Sequence, residues 1–168
     1  MRSFPGAKFQ AIITRRASHA ILECVLQAES QHETGGVLIG YRLGRIYLVA
    51  AATVSDPGSR DSRVSFVLDG AEHTQKVKDI LAGYKLRPAT LGIWHSHICD
   101  GHSFSAQDVD SNRILAKRFG GILSMLVTER EHIVTVSICC ISAAGVEAAC
   151  KTTVCSKFKM EVTSHEWR

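Results

Sequence analysis

The chain has 168 residues, 45% apolar and 21% charged, with 20 Lys and Arg against 16 Asp and Glu for a net charge of +4. That length and apolar content predict one domain with its own core, and they exclude a disordered, low-complexity or collagen-like chain. The basic residues are scattered (Arg15/Arg16, Arg42/Arg45, Lys76/Lys78, Lys117 and Lys151) and form no run of the kind that reads a phosphate backbone, so no nucleic-acid partner is expected.

Phe9 to Thr14 reads as a short strand. Ala17, Ala20, Ile21, Cys24, Val25 and Ala28 fall at i, i+3, i+4, i+7, i+8 and i+11, one face of a helix. Thr34–Tyr41 is apolar and bounded by glycine. Arg42-Leu43-Gly44-Arg45 reads as a turn and Ile46–Val54 as the return strand of a hairpin. Residues 55–63 form a polar loop with Asp-Pro-Gly turn chemistry, followed by a short strand over Val64–Leu68. Val77, Ile80, Leu81 and Tyr84 have helical spacing, which predicts a second helix over Ala71–Tyr84. Thr90–His97 reads as a strand entering a functional loop, and Ser105–Phe119 as a third helix. Ile122–Thr128 and Ile133–Ile141 are strand runs joined by a hairpin. Val146–Ala149 is an expected edge strand, and Thr163–Arg168 is expected to fray. The mixture of hairpins and helices predicts a mixed α/β (α+β) domain over 1–168, with its core at about 9–150 and a tail at 151–168.

No run of about 18 apolar residues exists, so no membrane span is predicted, and no membrane is expected among the partners. The start, MRSFPGAKFQ, lacks the apolar region of a secretory leader. The six cysteines include no C-x-x-C pair, and Cys139 and Cys140 are adjacent. Reduced thiols in the cytoplasm are the expectation, with Cys139 and Cys140 as packing residues.

The informative segment is LGIWHSHICDGHSFSAQD, Leu91–Asp108. Residues i and i+2 of a strand share a face, so His95 and His97 project side by side. Trp94 points the other way, into the core. Asp108 sits one turn into the third helix, where its carboxylate can face the imidazoles. Two His and one carboxylate make a three-ligand set of the kind that leaves a catalytic zinc its fourth position for water. Glu33 is the best candidate for a base acting on that water. It precedes Gly35-Gly36, where small residues allow close approach of backbone to ligand. Ser105-x-x-Asp108 has a plainer reading as a helix capping box.

A Glu upstream, then His95-Ser96-His97, seven residues, and Ser105-Ala106-Gln107-Asp108 resembles the JAMM motif of the JAB/MPN+ metallopeptidase family, with its spacing matched in full. The likeness covers roughly residues 9–141 and is similar to the compact bacterial type. The departures are Ile98 and Phe104, where many members carry Pro; they bear on loop shape.

The resemblance implies a JAB/MPN-like, cytidine-deaminase-like three-layer fold, with a central mixed sheet flanked by helices. It implies one Zn²⁺ per chain on His95, His97 and Asp108, with Glu33 and Ser105 as catalytic residues. It further implies cleavage after the C-terminus of a ubiquitin-like protein, as deconjugation or precursor processing, with E1- and E2-like partners in a bacterial antiphage system. The extended tail of such a substrate is expected to add to a sheet edge, here Val64, Ser65, Phe66, Val67 and Leu68. The alternatives are C-terminal processing of a sulfur-carrier protein and a catalytically silent MPN scaffold. Cys99 and His102 lie in the metal loop but are not needed as ligands, and His19, His32, His73, His132 and His165 read as ordinary surface or half-buried residues.

Overall fold

A computed structural model describes residues 9–28, 33–55, 70–97, 103–130, 133–142, 145–155 and 159–163. Its elements are β1 (Gln10–Ile13), α1 (Arg15–Gln27), β2 (Gly35–Leu43), β3 (Ile46–Ala52), α2 (Gly70–Ala82), β4 (Ala89–His97), α3 (Ala106–Phe119), β5 (Ile122–Arg130), β6 (Ile133–Ser142), β7 (Gly145–Cys155) and β8 (Lys159–Thr163). Among the described residues the strands form one sheet in the order β1-β3-β2-β4-β5-β6-β7-β8. The β1–β3 and β4–β5 pairs are parallel and the others antiparallel, so the sheet is mixed.

Strand alternation sends successive side chains to opposite faces and so sets the layers. On one face Leu38, Val49, Trp94, Leu123, Met125 and Val127 bury against α1, whose Ala17 and Ile21 are themselves buried. On the other face α2 covers Val37, Ile39 and Ala51 with Val77, Ile80 and Leu81. On that same face α3 covers Ile122 and Ile141 with Leu115 and Ala116. The result is the expected three-layer arrangement, helix, sheet, helices.

Local chemistry fixes the element ends. The Thr14 hydroxyl caps α1 by accepting from Ala17 N–H at 3.3 Å. α3 ends at Gly120 in the left-handed conformation, φ 72°, with Lys117 and Arg118 in its last turn, where cations complement the helix dipole.

Several boundaries differ from the sequence expectation. β2 runs on through Leu43, so the β2–β3 turn contracts to Gly44 and Arg45. The Val146–Ala149 run belongs to a longer strand, β7; β8 pairs only with its far part, Lys151–Cys155, so among the described residues Val146–Ala149 keeps an edge position. The pattern over 151–155, Lys-Thr-Thr-Val-Cys, carries little apolar alternation, and it is the ladder to β6 that makes it a strand. Val64–Leu68 and residues 164–168 lie outside the described residues. No described helix is long and apolar enough to cross a membrane.

Candidate metal centre

β4 ends in His95-Ser96-His97, and α3 begins at Ala106. His95 is 5% exposed, and its ring packs edge-on to Phe104 with centroids 6.0 Å apart. Phe104, read from sequence only as a departure in the loop, thus supports an imidazole. His95 Nε2 and His97 Nε2 stand 3.2 Å apart. Asp108 closes the group, with Oδ1 3.2 Å from His95 Nε2 and Oδ2 3.2 Å from His97 Nε2.

These separations allow a test of fit. Zinc binds imidazole nitrogen and carboxylate oxygen at about 2.0–2.1 Å, and a tetrahedron of that radius has edges of roughly 3.3 Å. The spacing of the two imidazole nitrogens is close to such an edge, and each has an Asp108 oxygen at a similar distance, so this donor set fits a zinc ion. His95, His97 and Asp108 are the group of His, Cys, Asp and Glu able to hold a metal among the described residues.

Asp108 also serves its helix. Ser105 N–H and Ser105 Oγ–H both donate to Asp108 Oδ2 at 2.7 Å, and Asp108 N–H donates to Ser105 Oγ at 3.1 Å. The capping box and the ligand set therefore coexist, because the carboxylate presents several lone pairs. Burial pushes the Asp108 pKa up. The hydrogen bonds from His95 and His97, the His95 charge and the Ser105 hydroxyl outweigh it and hold the carboxyl well below the usual range.

Glu33 is 7% exposed, directly before β2. Gly35 pairs with His95 in the antiparallel β2–β4 ladder. One step on, Ser96 N–H donates to Thr34 O at 2.7 Å, and Thr34 N–H donates to Ser96 Oγ at 2.9 Å. Glu33 precedes this Thr34–Ser96 pair by one residue and so adjoins the end of β4 that carries both imidazoles. On the β3 side, the Ser55 hydroxyl donates to Gly35 O at 3.0 Å.

Thr53 ties the neighbouring strands together. Its Oγ accepts from Val37 N–H at 2.8 Å, and its carbonyl accepts from Trp94 Nε1 at 2.8 Å. Its hydroxyl also lies 2.7 Å from Nδ1 of His73, which is 3% exposed on α2. His73 is thus an almost fully buried, bonded histidine at the α2–sheet contact rather than the surface or half-buried residue expected. Trp94 is fully buried on the face opposite His95, as alternation requires. Gly36 does permit a close approach, but by protein rather than ligand, since a Cβ there would stand 2.0 Å from Thr53 O.

Sequence reasoning missed the Ser96 clamp and the Thr53–His73 contact. The available signal for Ser96 was parity: a hydroxyl between two ligands of one strand must face the core and needs a partner there. Cys99, His102 and the Val64–Leu68 edge lie outside the described residues. Ser105 is exposed at the α3 N-terminus.

Residues 12–144 match the family model described as prokaryotic homologs of the JAB domain, and the chain belongs to that family. A solved structure with the same fold is the solution structure of protein DSY2949 from Desulfitobacterium hafniense. It is 22% identical, with 82% of this chain and 88% of that chain covered and a TM-score of 0.62. No curated protein matches the chain.

Proposed function

We propose that this JAB-domain protein is a zinc-dependent isopeptidase or peptidase that cuts after the C-terminus of a ubiquitin-like protein. The observation that carries the reading is the convergence of His95, His97 and Asp108, with buried Glu33 one residue before the Thr34–Ser96 pair. His95, His97 and Asp108 hold the ion, which when bound polarises a carbonyl and lowers the pKa of water toward 7. Glu33 takes the proton of the attacking water and passes it to the leaving amine. Ser105 has one hydroxyl proton, which it gives to Asp108 Oδ2. To stabilise negative charge building on the substrate carbonyl oxygen, that hydroxyl turns from Asp108 to the substrate. A donor so placed is worth about 3–4 kcal/mol. The cellular setting we propose is the bacterial ubiquitin-like antiphage system, with E1- and E2-like partners in the cytoplasm.

The test uses the purified protein and a ubiquitin-like protein extended beyond its terminal Gly-Gly. Wild type is expected to release the extension and to stop when chelated. Metal analysis is expected to give about one zinc per chain, lost in His95→Ala/His97→Ala and kept in Glu33→Ala, which no longer cleaves. Undiminished cleavage after chelation, or in Glu33→Ala, overturns the mechanism. Cleavage confined to a sulfur-carrier precursor moves the substrate to that class.

A further inference from the structure

The metal centre occupies one end of the sheet, and the opposite end has a chemistry of its own. Gly40 pairs with Ala89 and Gly92 with Leu123, so the last residues of β2 and the first of β4 and β5 lie level. Three connections open there: β2–β3, α2–β4 and α3–β5. Each presents a large apolar side chain to solvent, namely Leu43 at 65%, Leu86 at 74% and Phe119 at 61% exposure. Each is bracketed or preceded by exposed cations: Arg42 and Arg45 around Leu43, Lys85 and Arg87 around Leu86, Lys117 and Arg118 before Phe119.

The three connections form one surface. The Tyr41 hydroxyl donates to Leu86 O at 2.9 Å, joining the first to the second. Arg42 Nη1 comes within 3.9 Å of the position a Gly121 Cβ would take, joining the first to the third. Residues 41–47, 83–89 and 117–122 contain no carboxylate. Six cations, dispersed along the sequence, are thus gathered at one pole around three apolar tips.

We propose that this pole docks the protein on an anionic lipid surface, with the metal centre facing away into the aqueous phase. Apolar tips flanked by Lys and Arg match an interface whose acyl boundary takes the former and whose phosphates take the latter. A second copy is disfavoured, because a two-fold contact sets six cations against six. A nucleic acid is disfavoured, because two of the three tips are aliphatic and Arg118 already lies over the Phe119 ring at 5.5 Å.

The experiment is flotation of the full chain with vesicles of phosphatidylcholine, alone or with about one-third phosphatidylglycerol. A cation near such a surface contributes on the order of a fivefold gain in partitioning. Wild type is expected to float with the anionic vesicles, not with the neutral ones, and to be released by high salt. Arg42→Glu/Arg45→Glu and Leu43→Asp/Leu86→Asp are each expected to lower partitioning more than about tenfold. All four positions are exposed, and wild-type circular dichroism of the variants checks their folding. Lack of flotation, equal flotation with neutral vesicles, or flotation indifferent to salt overturns the proposal on wild type alone. Variants that float like wild type place the contact elsewhere. Binding of a DNA duplex, or a dimer abolished by Leu43→Asp, in the absence of vesicle binding assigns the pole to those partners instead. None of these outcomes depends on whether the metal centre is catalytic.

Discussion

Asp108 shows how one side chain serves two purposes without conflict. Its first-turn position is what a capping box requires, and the same position aims the carboxylate at two imidazoles. Because its pKa is lowered in the folded chain, Asp108 adds stability above the ordinary carboxylate pKa, and that contribution is lost as pH falls. In metal-free protein, Asp108→Asn is therefore expected to lower denaturant stability at pH 7, and the gap from wild type to narrow toward pH 3. A gap constant across that range would mean that the carboxylate charge contributes nothing. Ser96 acts at the same scale. Its hydroxyl replaces a backbone carbonyl as acceptor for Thr34 N–H, so it sets where Glu33 leaves the sheet. Ser96→Ala is expected to keep zinc, expose the Thr34 amide to hydrogen exchange, and lower kcat more than KM. Ser96→Thr is expected to restore both. An unchanged Thr34 exchange rate in Ser96→Ala would remove the clamp.

At the scale of elements, β2 is held on both sides, and its glycines show the tolerance. A Cβ on Gly36 would meet the carbonyl of Thr53, which is backbone and has no rotamer by which to yield. Gly36→Ala is expected to cost about 1–3 kcal/mol by overpacking. Gly83, past the end of α2, has its nearest neighbour at an ordinary 3.5 Å. Gly83→Ala is expected to stay within about 0.5 kcal/mol of wild type. Parallel denaturant titrations compare the two, and similar effects would mean that β2 and β3 separate without penalty. Helix periods, apolar runs and turn residues make α1, α2, α3 and most strands legible in the sequence. The last strands are less so. β7 follows from pairing onto β6 and β8 from pairing onto β7, a cause outside each segment that its own pattern does not carry.

Across the whole molecule, the metal group bridges layers. His95 and His97 belong to the sheet and Asp108 to a covering helix, so an ion held by all three fastens α3 onto β4. A ligand that binds only the folded state stabilises it by mass action, about 2.7 kcal/mol at a hundredfold excess over Kd. Zinc is accordingly expected to raise Tm, chelation to reverse the rise, and His95→Ala/His97→Ala to abolish the response. A Tm indifferent to zinc in wild type would mean that the three donors do not act together.

The sequence by itself determined the candidate ligand types and their spacing. Imidazoles at i and i+2 on a strand and an aspartate in a helix's first turn are local facts, set by backbone period and capping chemistry. It also determined the identity of Glu33 as the acid to examine. Only the tertiary structure decided that Glu33 adjoins the His-Ser-His end of β4, because that depends on the β2–β4 register across 62 residues of chain and on one serine hydroxyl. It alone decided, too, that dispersed arginines and lysines meet at a single pole. Charge is a property of residues, but a charged surface arises only when strands pair in a definite order and bring distant connections side by side.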